Sequence, residues 1–137
     1  MYEYRCKVVH IVDGDTVDVD IDLGFGVWMK KQRIRLYGID TPESRTRDLE
    51  EKKYGQAAKA FLTGMLDDDA GITLKTHKDK EGKFGRILGE LWRTTNYADQ
   101  SINEYMIEKH HAVRYMGQSK ESIEEDHIKN RELVTLL

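Results

Sequence analysis

The stretch Ile11-Val12-Asp13-Gly14-Asp15-Thr16-Val17-Asp18-Val19-Asp20-Ile21-Asp22-Leu23 decides the fold class. From Thr16 onward, Val17, Val19, Ile21 and Leu23 share one face and Asp18, Asp20 and Asp22 the other. A period of two is that of a strand with one buried side. Asp13-Gly14-Asp15 is a hairpin signal, in which glycine accepts a positive φ without steric penalty. Ahead of it, residues 4–12 carry Cys6, Val8, Val9, Ile11 and Val12, a strand whose face switches near Val8-Val9 as it does at a bulge.

Working outward, Gly24-Phe25-Gly26 reads as a turn, and the connection from Leu23 to Gln32, carrying Trp28, is expected to be long. A third strand over Arg33–Ile39 ends at Asp40-Thr41-Pro42-Glu43. Tyr54, Ala57, Ala58, Phe61, Leu62, Met65 and Leu66 then form the apolar stripe of a helix that ends by Gly71. Ile72, Leu74 and Thr76 predict a fourth strand. Ile87, Leu88, Leu91 and Trp92 predict a fifth, after a loop at Asp79–Gly82, with Trp92 in the core. Ser101-Ile102-Asn103-Glu104 is a capping box that opens a short helix, with Ile102, Tyr105 and Met106 inward. A charged helix over about 119–133 completes the chain. Five strands with a helix after the third is the α+β order of a five-stranded Greek-key barrel of the OB type, here with three helices.

The 137 residues are expected to make one domain, with its core over 4–116. Charged residues are 34%, hydrophobic ones 39% and mean hydropathy is −0.69, so no window approaches the roughly 20 apolar residues of a membrane helix. Cys6 is the only cysteine, which excludes an internal disulfide and a multi-thiolate zinc site. No apolar run follows Met1-Tyr2-Glu3-Tyr4-Arg5, and the expectation is a chain without a secretory leader, resident in the cytoplasm. No apolar stripe is left over once the core is assigned, so a monomer is expected. The net charge of −3 weighs, at face value, against a nucleic-acid partner.

The charges are nevertheless grouped. Asp13, Asp15, Asp40 and Glu43 all fall at strand-end turns, where antiparallel pairing can gather them. Carboxylates, carbonyls and water are the ligands of hard dications. The same residues are also ordinary turn formers. Asp18, Asp20 and Asp22 fail the EF-hand pattern, with Leu23 and Met29 where glycine and glutamate are needed, and read as a solvated strand face. Lys30, Lys31, Arg33 and Arg35 form one basic stretch; Lys75, Lys78, Lys80, Lys83 and Arg86 form another. Arg35 lies within an apolar strand and Arg86 begins one, positions suited either to phosphate oxygens or to a carboxylate pair. Lys83, Phe84 and Tyr115 are candidate substrate contacts, the aromatic rings by stacking. His110-His111 lacks partner ligands at recognisable spacing and reads as surface or capping residues.

Val12-Asp13-Gly14-Asp15-Thr16-Val17, Arg35 ahead of Asp40-Thr41-Pro42-Glu43, Tyr54-Gly55 and Phe84-Gly85-Arg86 together resemble the staphylococcal nuclease family, from about Tyr4 to about Tyr115. The resemblance implies an OB-type barrel and a Ca²⁺-dependent phosphodiesterase acting on DNA and/or RNA, with Mg²⁺ or Mn²⁺ as alternative ions. It implies Asp15 and Asp40 as metal ligands and Thr41 as a carbonyl ligand. It implies Glu43 as the general base acting on metal-bound water, and Arg35 and Arg86 as phosphate-stabilising arginines. The implied cut leaves a 3′-phosphate and a 5′-hydroxyl. A catalytically silent nucleic-acid-binding module is the alternative. Phe84 replaces a familiar tyrosine, and Arg114-Tyr115-Met116 is only a loose counterpart of a Tyr-x-Tyr pair.

Overall fold

Strand β1 (Glu3–Asp13) runs antiparallel to β2 (Thr16–Gly24), with Asp13 opposite Thr16, so Gly14 and Asp15 alone make the turn. The register slips between Val8 and His10, which places the expected bulge at Val9. The computed structural model describes residues 2–67, 71–77, 86–93 and 100–136. Gly14 does not use the left-handed region, contrary to the turn argument. Its role is close approach: a Cβ there would lie 2.9 Å from the Ala58 Cβ and 3.1 Å from the Thr41 Cγ2.

Strand β3 (Val27–Leu36) pairs with β2 from Gly24–Val27 to Thr16–Arg35. The long Leu23–Gln32 connection is therefore a correction. Phe25-Gly26 is a two-residue turn with φ of 57° and 75°, the pair of positive values that suits the twist of a hairpin. Trp28 lies in β3 opposite Asp22. The hairpin was hidden because this arm buries little on either side: Leu23, Phe25, Val27 and Met29 are all exposed, Leu23 against expectation.

Gly38, at φ 79°, separates β3 from the short β4 (Ile39–Asp40). Helix α1 (Leu49–Leu66) starts a turn earlier than its apolar stripe, because the Asp48 carboxylate caps the Glu50 and Glu51 amides. Strand β5 (Ile72–His77) and strand β6 (Arg86–Arg93) follow, then α2 (Ile102–Glu108), β7 (Val113–Arg114) and α3 (Lys120–Arg131). Ser101 and Ser119 cap α2 and α3 as expected. The barrel is closed in the order β1-β2-β3-β6-β5, and β3 and β6 are parallel. A parallel pair cannot be joined by a tight turn, and the crossover here contains α1 and β5. The result is the OB-type barrel with three helices, and β4 and β7 form a small separate sheet.

The core joins Val17, Val19, Ile21, Ile34, Leu36, Leu74 and Leu91 of the barrel to Ala58 and Leu62 of α1 and Ile102 and Met106 of α2. Each large side chain contributes about 1.5–3 kcal/mol through burial. Trp92 is not a core residue: half-buried, it donates its indole N–H to Glu90 at 3.1 Å and lies under the Lys75 ammonium. Tyr105 is also only half-buried. No helix among the described residues is long and apolar enough to cross a membrane.

Buried Asn103 closes the barrel seam. Its Oδ1 accepts from the Leu91 amide at 3.1 Å, and its Nδ2 donates to the Tyr37 and Gly89 carbonyls at 2.8 and 3.2 Å. Asn103→Ala takes the partner from the Leu91 amide and the Tyr37 carbonyl, while the Gly89 carbonyl keeps the Tyr37 amide, and it is expected to cost about 3 kcal/mol of stability by urea unfolding; a loss under about 1 kcal/mol would contradict this role.

Candidate active site

The turn between β1 and β2 meets the loop after β4 through two side-chain contacts. The Asp13 carboxylate accepts from the Ser44 hydroxyl, and Asp15 Oδ2 accepts from the Thr41 amide at 3.2 Å. Thr16 donates to the other Asp15 oxygen at 3.0 Å. Asp13 and Asp15 thus bind the Thr41–Ser44 loop to the barrel end, and Thr41 and Ser44 are buried. From that loop Glu43 projects into solvent.

Arg35 lies between the acids. Its Nη2 is 3.5 Å from Asp15 Oδ2 and 3.4 Å from Asp40 Oδ1, while Nη1 donates to the Leu36 carbonyl at 3.1 Å. The carboxylate-pair reading of its position holds, and Arg35 also lines the cleft. Parallel pairing sets Arg33 of β3 opposite Arg86 of β6, so Arg35 and Arg86 come from neighbouring strands and line one cleft.

The cleft has a volume of about 980 Å³ and holds Arg35, Asp40, Thr41, Glu43, Arg86 and Tyr115. Asp15 stands behind it, on Arg35 and Thr41. Lys83 and Phe84 lie outside the described residues. The far wall was not expected: Ile123, Glu124, His127, Ile128 and Arg131 of α3 face the arginines, with Met116 beside Tyr115. His127 Nε2 is 2.8 Å from Asp40 Oδ2, a contact across 87 residues that no local pattern announces. His110 and His111 take no part in the cleft. His111 is buried rather than a surface residue, stacks on Phe61, and has its pKa lowered by burial and then by His110.

The Glu43 carboxyl is pushed above the ordinary range. Partial desolvation is the largest cause, followed by the charges of Asp13, Asp15, Glu51 and Asp40. An excess of carboxylates around one loop, with all-oxygen donors, fits a hard dication better than a nitrogen- or sulfur-loving metal. Among the described residues no group of three His, Cys, Asp or Glu side chains is already gathered at ligating distance. Ca²⁺ and Mg²⁺ do not need one, since backbone carbonyls and waters complete their shells.

Residues 33–133 match the staphylococcal nuclease homologue family. The chain belongs to that family. The match includes Arg35, Asp40, Thr41, Glu43, Arg86 and the whole of α3. The chain is 32% identical over 90 residues to a thermonuclease of Staphylococcus hyicus, covering 66% of this chain and 49% of that protein. It is 37% identical over 86 residues to an uncharacterised Bacillus anthracis protein, covering 63% of this chain and 37% of the other. It is 32% identical over 118 residues to the protein ParB of Escherichia coli, with coverages of 82% and 58%. The chain therefore spans less than two thirds of the length of each of these relatives.

Gly55 explains the Tyr54-Gly55 pair. A Cβ on Gly55 would lie 2.3 Å from the Glu43 carbonyl oxygen and 2.7 Å from the Ser44 nitrogen, so α1 packs directly on the backbone that carries Glu43. Gly64, on the same helix, has nothing within 4 Å of such a Cβ. Opposite signs are expected for the two alanine variants in urea unfolding. Gly64→Ala should stabilise by up to about 1 kcal/mol through helix propensity. Gly55→Ala should destabilise by about 2 kcal/mol through overpacking; a stabilised Gly55→Ala would refute the close approach.

Proposed function

We propose that this chain is a metal-dependent nuclease that hydrolyses phosphodiester bonds of DNA and/or RNA, with Ca²⁺ as the favoured ion and Mg²⁺ or Mn²⁺ as alternatives. One observation carries the reading: Arg35, paired with Asp15 and Asp40, shares a cleft with Arg86 and Glu43. Two thermonucleases among its relatives support it, that of Staphylococcus hyicus and one of Staphylococcus intermedius.

Asp15, Asp40 and the Thr41 carbonyl would hold the ion, which supplies Lewis-acid stabilisation of phosphate charge. The chain's own groups do the rest. Arg35 and Arg86 offer planar N–H forks to the non-bridging oxygens and oppose the negative charge that grows on them in the transition state. Glu43 accepts a proton from the attacking water as its oxygen bonds to phosphorus, the bond from phosphorus to the 5′ oxygen breaks, and solvent water protonates that leaving oxygen to the 5′-hydroxyl. Its raised pKa suits a base better than that of an ordinary, weakly basic carboxylate. Tyr115, Met116 and Ile128 give the cleft an apolar side on which a base can rest.

Cleavage of plasmid DNA and of RNA, followed on gels with Ca²⁺, Mg²⁺, Mn²⁺ or EDTA, tests the reading. Activity with Ca²⁺ and none with EDTA is expected. Equal activity in chelator would remove the metal role, and salt-dependent binding without turnover would favour the silent module.

Glu43→Gln separates chemistry from stability. A carboxyl with a raised folded-state pKa is less favourably ionised in the folded than in the unfolded chain. The penalty is absent below the ordinary carboxylate range, grows as pH rises toward the raised value, and is full above it. At neutral pH the metal-free variant should therefore unfold at a higher urea concentration than wild type. Its kcat should fall by at least about 10²-fold. A variant both less stable and fully active would contradict both assignments.

A further inference from the structure

The third helix is held by one narrow stripe. Ile123, His127, Asn130 and Arg131 follow at helical spacing, and Ile123 is the buried apolar residue of α3. His127 reaches Asp40, Asn130 Nδ2 donates to the Ala112 carbonyl at 3.1 Å, and Arg131 lies over the Tyr54 ring. The stripe is mostly polar, so the helix is placed by specific contacts more than by apolar area.

One of those contacts is with Asp40. Its strand β4 is two residues long and pairs with β7, Asp40 opposite Val113. The chain beyond β7 leads into α3. The two oxygens of its carboxylate are divided between two nitrogens: Oδ1 takes the long contact from Arg35, which is shared with Asp15, and Oδ2 takes the short one from His127. The His127 side chain is 12% exposed, and its Nδ1 is buried without a hydrogen-bond partner among the described residues. Among the described residues Asp40 is thus the one polar partner of this ring, and the ring N–H facing a carboxylate donates to it.

We propose that His127 is a positioning residue for Asp40: by fixing Oδ2 it sets the direction in which the carboxylate faces the cation, and it makes α3 part of the catalytic unit rather than a cover on it. The assignment rests on the metal-dependent nuclease reading above. Groups that orient a ligating side chain typically change metal affinity by 10–100-fold when removed. Glutamine can present an amide N–H near the place of the imidazole Nε2–H, whereas alanine cannot.

Calorimetric titration of the metal-free chain with Ca²⁺ alone, together with kcat and KM on a DNA substrate and a urea midpoint for each variant, tests the role. His127→Ala should weaken Ca²⁺ binding by about 10-fold or more, and lower activity at limiting Ca²⁺ while KM for DNA at saturating Ca²⁺ changes little. His127→Gln should stay within about 3-fold of wild type in Ca²⁺ affinity. Asn130→Ala, which loosens α3 while keeping the ring, should lower the urea midpoint with a smaller effect on Ca²⁺ than His127→Ala. Wild-type Ca²⁺ affinity in His127→Ala would overturn the proposal. So would an Asn130→Ala defect in Ca²⁺ binding equal to that of His127→Ala with no rescue by glutamine, because the helix would then act only as packing. A wild type that neither binds Ca²⁺ nor cleaves would overturn the reading of the site itself, and the positioning role with it.

Discussion

Arg35 makes the acid cluster tolerable. Asp15 arrives from the β1–β2 turn and Asp40 from β4, and like charges there repel. The Arg35 guanidinium, largely buried, stands within 3.5 Å of both carboxylates and is itself fixed by the Leu36 carbonyl. A buried ion of this kind contributes less to net stability than to a defined arrangement, because desolvation offsets much of the attraction. The arrangement places carboxylates and a cationic fork side by side. Glu43 has no such cation at contact distance among the described residues, and its pKa is raised by partial desolvation first and by the neighbouring carboxylates after it.

The backbone carries the second constraint. Gly14 and Gly55 each leave room that a methyl group would fill, and each does so against the Thr41–Ser44 loop. The loop is thereby set between the barrel turn and α1 with almost no slack. Its amide and hydroxyl tie it to Asp15 and Asp13. Positioning of Glu43 is therefore a property of three elements in contact, with residues small enough to permit it.

The net charge of −3 takes on a different meaning in this setting. Asp18 and Asp20 are spent on Arg33 and Lys30 along the outer face of the β2–β3 hairpin. Both acids have pKa values lowered, Asp18 chiefly by its hydrogen bond with Arg33 and Asp20 chiefly by the Lys31 amide. Asp15 and Asp40 belong to the cleft. The whole-chain charge thus describes neither surface, and a dication bound at the cleft would offset its acids.

The alternation from Thr16 to Leu23, the apolar stripe of α1 and the Ser101 capping box were legible because each is a local rule: a period or a cap is complete within a few residues. Asp15, Arg35, Asp40, Thr41, Glu43 and Arg86 were legible as a set because their order and spacing resemble a family. The β2–β3 hairpin was not, since an arm that buries neither face leaves no hydrophobic period to read. Asn103 looked like one letter of a capping box and is the hydrogen-bonding hub of the barrel seam. His127 looked like one charged-helix residue among many. By itself, the sequence determined the barrel class and the helices, consequences of short-range periodicity and capping, and its ordered motifs singled out the candidate site residues. Only the tertiary structure decided that Arg35 stands between two acids, that Gly55 admits the Glu43 backbone, and that α3 returns to Asp40. Those contacts join residues up to 87 positions apart, and such a pairing is set by barrel closure and packing, which no local stretch encodes.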